Sequence, residues 1–143
     1  MTSGPTLGET EQAAIAEAFA ELERDVDVRL EVGPSATPVT LLAAGGRELD
    51  SNAIARDVVT SVCGLADAVR LTVDEHDEPG PWPRTTIGPG LVYQGMPLGY
   101  ELTTVVHAIV EAGRAEPTLS AGSRERLLTL AQDVAIDVFV TPT

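Results

Sequence analysis

The chain has 143 residues, 43% hydrophobic but only 3% aromatic, with a formal net charge of −13 from 9 basic and 22 acidic residues. That length suits one domain with a core of Val, Leu, Ile and Ala, and is too short for two full domains. The charge argues against nucleic acid and anionic membrane as partners, since phosphate binding needs clustered cations.

In chain order, Thr6 to Glu9 fits the capping pattern S/T-x-x-E, with Thr10 as a second candidate cap. Ile15, Ala18, Phe19 and Leu22 follow at helical spacing, so a helix is expected to about Glu23. Val26, Val28, Leu30 and Val32 alternate with Asp27, Arg29 and Glu31, the period of a strand, which Gly33-Pro34-Ser35 ends. Val39–Ala44 reads either as a short strand paired back on the first or as an extended loop. Behind Asp50 or Ser51 as cap, Ile54, Val58, Val59, Val62 and Leu65 form a helical stripe. Val69, Leu71 and Val73 predict a second strand, and the acidic, proline-rich stretch 74–83 predicts an irregular connection. Arg84–Ile87 and Leu91–Gln94 flank Gly88-Pro89-Gly90 as a hairpin. Leu102, Val105, Val106, Ile109 and Val110 predict a strong helix ended by Gly113 as a C′ residue. Ser120 opens a short helix carrying Leu127, Leu128 and Ala131, and Val134–Val140 reads as a buried strand. The layout is α/β, a small central sheet with helices on both faces.

Two stretches carry a family resemblance. Tyr93-Gln94-Gly95-Met96-Pro97-Leu98-Gly99-Tyr100-Glu101-Leu102 is similar to the aromatic-x-Gly-x-Pro-x-Gly-His-Glu-Phe phrase of two related families. These are the N-terminal region of the alkyl hydroperoxide reductase flavoprotein subunit and the glutaredoxin-like protein disulfide oxidoreductases. Tyr100 departs from the phrase, standing where the families often have His. A strand running into Thr141-Pro142-Thr143 resembles the lead-in to a thioredoxin-type Cys-Pro-x-Cys. The resemblance implies a degenerate thioredoxin-like fold, a small mixed sheet flanked by helices, with a linker helix and an orphan strand. Residues 1–114 would form the degenerate unit, 115–133 the linker helix, and 134–143 the first strand and active-site lead-in of a second unit. It also implies that Pro83, ahead of the hairpin, is the cis-proline of the fold. The short path from Val73 to Pro83 leaves no room for a full crossover helix, which favours the flavoprotein type.

Disulfide exchange needs a thiolate at a helix N-terminus and a resolving cysteine one turn later. The first unit has Gly33-Pro34-Ser35-Ala36-Thr37-Pro38 after its first strand and no Cys-x-x-Cys. The one cysteine, Cys63, cannot close an internal disulfide or form a dithiol site, and core packing is its expected role. The expected residue after Thr143 is a cysteine. Three accounts of the stop compete: a deliberate cut in the gene, a nonsense change at the cysteine codon, or a UGA codon that encodes selenocysteine.

Other candidates have plainer explanations. Asp74-Glu75-His76-Asp77-Glu78 offers oxygen and imidazole ligands, but contiguous loop residues rarely converge, so a solvated acidic loop is expected. His107 and Glu111 stand at i,i+4 as a surface pair. Trp82, between two prolines, is expected to anchor its turn by packing. No catalytic, cofactor-binding or metal-ligating residue is expected, and no cofactor. Met1–Thr6 lacks the basic and apolar regions of a signal peptide, so a cytoplasmic location is expected.

By resemblance, the expected function is that of the N-terminal part of a thiol–disulfide or selenol oxidoreductase, non-catalytic by itself. The implied partner is a peroxiredoxin-like or other disulfide protein. The alternative is a stand-alone thioredoxin-fold binding or dimerisation module, a homodimer through its terminal strand. A third option, an acidic metal-binding protein, rests on 74–78 alone.

Overall fold

The structure, a computed structural model, describes residues 7–34, 39–40 and 48–140. The elements in order are α1 (Glu9–Phe19), β1 (Val26–Val32), β2 (Val39–Thr40), β3 (Glu48–Leu49), α2 (Ser51–Cys63), β4 (Val69–Glu75), β5 (Arg84–Ile87), β6 (Leu91–Gln94), α3 (Tyr100–Ala112) and α4 (Ala121–Leu128). Four strands form one mixed sheet in the order β4-β1-β5-β6. β1 lies parallel to β4 and antiparallel to β5, and β5 and β6 make the expected hairpin.

Register follows from which side chains each strand can bury. Val26, Val28 and Leu30 face Val69, Leu71 and Val73 across β1–β4, while Val28 and Leu30 face Ile87 and Thr85 across β1–β5. In-register partners share a face, so these side chains form one apolar surface. Leu30 is 0% exposed and Val28 and Ile87 are 1% exposed, and Val58, Val59 and Val62 of α2 with Val105, Val106 and Ile109 of α3 close over them. Ile15 and Phe19 of α1 join the same cluster. Fully burying each such side chain contributes roughly 1.5–3 kcal/mol before entropy is charged against it.

The opposite face departs from the expected helices on both sides. It carries Asp27, Arg29, Glu31, Arg70, Thr72, Asp74, Arg84 and Thr86, paired in the alternate register. Among the described residues no helix covers it, and Asp27, Arg29, Arg70 and Thr72 are exposed. The cause is the connection from β4 to β5. Residues 76–83 run as an irregular loop past the end of β1, with His76 donating its N–H to the Val32 carbonyl (2.8 Å) and Gly80 to that of Pro34 (3.3 Å). A loop that short holds no helix to lay over the sheet.

Helix ends show further differences. α1 is capped at Gly8, whose N–H is accepted by Glu11 Oε2 (2.9 Å), so Thr10 lies inside the helix; Thr6 falls outside the described residues. Asp50 caps α2 through Asn52 N (3.1 Å) and Ala53 N (3.0 Å). β2 pairs with β3 as a separate two-stranded sheet rather than with β1, and residues 41–44 lie outside the described residues. Glu111 accepts from Thr118 N (3.0 Å) and Oγ1 (2.9 Å) and pairs with Arg114 (3.1 Å), rather than serving His107. These bonds hold the Glu111 carboxyl below its ordinary range, the Thr118 backbone N–H contributing most. Ser120 caps α4, which buries no residue. Among the described residues, the strand expected at Val134–Val140 has no neighbour to pair with. Without ladder bonds it takes no regular structure, and Val134, Ile136, Val138, Phe139 and Val140 are exposed.

Gly113 closes α3 with φ −85°, so the left-handed conformation expected of a C′ glycine is not what selects it. Close approach does: a Cβ there would lie 2.4 Å from Leu22 Cδ2 and 3.2 Å from Val26 Cγ2. The Gly113 carbonyl accepts from Glu23 N (2.9 Å) and Arg24 N (3.0 Å), fastening α3 to the start of β1. Gly113→Ala should therefore destabilise the protein by about 1–3 kcal/mol, the usual cost of overpacking, read as a fall in urea midpoint. Gly122→Ala, with nothing within 4 Å of its added carbon, should leave the midpoint in place.

Candidate functional site

The concentrated chemistry lies where β1 ends. Glu31 is the last outward-facing residue of β1, and register sets it opposite Arg84 of β5 and Asp74 of β4. Its side chain is 12% exposed, unusual for a carboxylate. Burial of a charge at this level requires partners. His76 Nε2 lies 3.1 Å from Glu31 Oε1, Arg29 Nη2 3.9 Å from Oε1, and Arg84 Nε 3.9 Å from Oε2. Arg84 Nε is buried with no hydrogen-bond partner, so its contribution to Glu31 is Coulombic.

Trp82 roofs this corner. Its indole stacks on the His76 imidazole at a centroid distance of 3.9 Å and an interplanar angle of 3°, and its Nε1–H donates to the Glu78 carbonyl (3.1 Å). Gly33 and Gly80 admit the ring, because a Cβ would stand 2.7 Å from Trp82 Cδ1 at the first and 2.6 Å from Cε2 at the second. Gly33 N–H donates to Asn52 Oδ1 of α2 (3.1 Å), tying the turn after β1 to the first turn of that helix. The Trp82–Pro83 peptide is cis, and Pro83 is buried one residue before the Glu31–Arg84 pair. Pro83 and the Gly33–Pro34 turn thus flank the same corner.

The acidic loop does not gather into a ligand set. Asp74 bonds Arg29, Glu75 bonds Arg56, and His76 turns to Glu31 and Trp82. Among the described residues, no group of three or more His, Cys, Asp and Glu side chains is placed to hold a metal ion.

The phrase from Tyr93 to Leu102 forms the turn out of the hairpin and the start of α3. Gly95 (φ +112°) and Gly99 (φ +59°) take backbone angles that other residues rarely adopt, and Pro97 between them is fully buried. Tyr93 Oη donates to the Met96 carbonyl (3.1 Å), and burial, with the Glu101 charge second, pushes the phenol up to about 12. Thr141, Pro142 and Thr143 lie outside the described residues.

Sequence patterning points to Trp82 and Pro83 but misses Glu31, Arg84 and Asn52. Alternation places Glu31 on an outward face and carries no sign that a loop covers it. The available signal is proximity in composition: a histidine and a tryptophan in a connection too short for a helix must lie against the strand end.

No family model matches the chain, and no curated protein matches it. Solved structures do. The alkylhydroperoxide reductase AhpF of Enterococcus faecalis V583 (C503A mutant) superposes with a TM-score of 0.64 at 18% identity, covering 87% of this chain and 61% of that one. The NTD_N/C domain of AhpF from Enterococcus faecalis V583 gives 0.68 at 17%, covering 89% and 62%. A protein disulfide oxidoreductase from Aeropyrum pernix K1 gives 0.67 at 16%, covering 88% and 56%. The fold is thus thioredoxin-like, and the chain spans about three fifths of the length of these structures. None of the described helices is long and apolar enough to cross a membrane.

Cys63 sits in the core, 4% exposed on α2, and burial pushes its thiol up to about 12. Since the thiolate is the reactive form, the folded protein should not react with Ellman's reagent at mildly alkaline pH. Concentrated guanidinium should release one thiol per chain; a fast reaction of the native protein would contradict the placement of Cys63.

Proposed function

We propose that this chain is the non-catalytic N-terminal part of a thiol–disulfide oxidoreductase, acting as scaffold and docking surface for a redox-active unit that follows it. In this division residues 1–114 form the thioredoxin-like unit, 115–133 the linker helix and 134–143 the strand and lead-in of the second unit. One observation carries the proposal: the sole cysteine is buried in α2, while the turn after β1, beside cis-Pro83, begins with Gly33-Pro34 and holds no thiol. The likeness in fold to a protein disulfide oxidoreductase and to the alkylhydroperoxide reductase AhpF supports the class. The finer proposal is that a cysteine or selenocysteine follows Thr143, supported by the similarity of Val134–Thr143 to a thioredoxin active-site lead-in. Its partner would be a peroxiredoxin-like or other disulfide protein, in the cytoplasm.

The chain as it stands should not catalyse insulin reduction by dithiothreitol above the uncatalysed rate. The gene read past the Thr143 codon should continue in frame through x-x-Cys into a second thioredoxin-like unit. Turnover by this chain would refute the non-catalytic assignment, and absence of that continuation would refute the division into two units.

One observation favours a second reading, a self-associating module. Ile136, Val138 and Phe139 are 82%, 78% and 94% exposed, a run of apolar side chains that association could cover. Sedimentation velocity separates the two. A strictly monomeric chain at high concentration removes the module reading, whereas a dimer lost on Ile136→Asp or Phe139→Asp supports it.

A further inference from the structure

We propose that Glu111 is the positioning residue of the linker: by holding Thr118, its carboxylate fixes the direction in which α4 leaves the thioredoxin-like unit. Calling the segment a linker rests on the proposed two-unit division, whereas the hold is a property of this chain alone. α4 buries no residue, and Leu127 and Leu128 are 52% and 86% exposed, so apolar packing does not choose its direction. That choice falls to polar contacts, which are dense between Gly113 and the helix.

The contacts divide by what they join. The Ala115 N–H donates to Glu23 Oε1 (3.2 Å) and the Ala115 carbonyl accepts from Arg24 Nη2 (2.6 Å), tying this residue to the turn before β1. On the far side, Arg124 Nη1 reaches Glu116 Oε2 (2.6 Å) and Ser120 Oγ accepts from Ser123 N (3.2 Å), which fastens the segment to α4 itself. Among the described residues, only Glu111 bonds the packed unit to a residue beyond Pro117. It stands in the last turn of α3, and its two oxygens have separate partners. Oε1 accepts both the Thr118 N–H (3.0 Å) and the Thr118 Oγ1–H (2.9 Å), and Oε2 pairs with Arg114 Nε (3.1 Å). Two bonds from one residue fix its orientation as well as its distance, and each is strengthened by the charge on the acceptor. The same bonds hold the carboxyl below its ordinary range, the Thr118 backbone N–H first. Exposed contacts are individually weak. Here the loop closed spans only seven residues, which costs less chain entropy than a long one, and Pro117 within it has a fixed φ.

Residual dipolar couplings read the direction of a helix. In the unaltered chain, the amides of Ala121–Leu128 should fit the same alignment tensor as α1, α2 and α3. The Thr118 amide, although at the surface, should be protected from hydrogen exchange. Glu111→Ala should bring the α4 couplings toward zero while those of the core stay in place, and should release the Thr118 amide. Glu111→Gln, whose amide oxygen can still accept both Thr118 bonds, should keep α4 in position. Independent averaging of α4 or an unprotected Thr118 amide in the unaltered chain would overturn the assignment, and neither reading requires a variant to fold. So would α4 couplings untouched by Glu111→Ala, or a release in Glu111→Gln as complete as in Glu111→Ala. No downstream unit enters the measurement, so its failure leaves the two-unit reading standing, and failure of that reading leaves the measurement unchanged.

Discussion

The structure turns on the burial of one face of β1. This strand is paired along its length with β4, parallel, and over Val28–Glu31 with β5, antiparallel, so its side chains divide cleanly between two faces. Val26, Val28, Leu30 and Val32 are 0–3% exposed, and α1, α2 and α3 all pack on their side. With no helix between β4 and β5, the second face must be compatible with water. It meets that requirement with charged pairs: Arg70 Nε to Asp27 (3.0 Å), and Arg29 to Asp74 across the same two strands. Cross-strand ion pairs of this exposure contribute little stability, typically under about 1 kcal/mol each. Their value is in register, because a one-residue slip would bring Arg29 and Glu31 into the core and put Leu30 in solvent.

Glu31 is the exception on that face, and it shows how a missing helix is replaced. The loop that stands in for the crossover helix folds back over the strand end, and the carboxylate it covers loses water. Removing a charge from water costs several kcal/mol unless partners take its place. Two arginines at 3.9 Å supply the opposite charge, His76 adds a contact at 3.1 Å, and the Trp82–His76 stack closes the top. Polar groups thus stay paired where the sheet is covered and stay solvated where it is open. Only Arg84 Nε and Thr85 Oγ1 break the pattern among the described residues.

Local periodicity makes the scaffold legible. The alternation at 26–32, the stripe from Ile54 to Val62, and the Gly-Pro-Gly between two short β runs each mark their element, because one face of each is buried and one is not. The layering is not legible in the pattern inside any element; only the short connection from Val73 to Pro83 bears on it, because which face a helix covers depends on that length. Gly113 stands out by its position after a helix, whereas the structure selects it by the nearness of Leu22 and Val26. That distinction is invisible in sequence: a terminal glycine looks the same whether it is needed for φ or for space. The strand expected at Val134–Val140 shows the same limit from the other side. Its residues have the composition of a buried strand, but pairing is a property of a neighbour, and among the described residues none lies beside it.

The corner at the end of β1 brings cis-Pro83 and the Gly33–Pro34 turn together around Glu31, His76 and Trp82. A buried proline with a cis peptide flanks the turn, yet the described part of that turn is Gly33 and Pro34, and the space beside it is filled by an indole. For an exchange reaction the sulfur must be both ionised and reachable. Cys63 fails on both counts, being inside α2 and raised to about 12 by the surroundings that bury it. What the corner retains is a carboxylate, an imidazole and an indole in direct contact. Their contacts fix the shape of the surface at the covered end of β1.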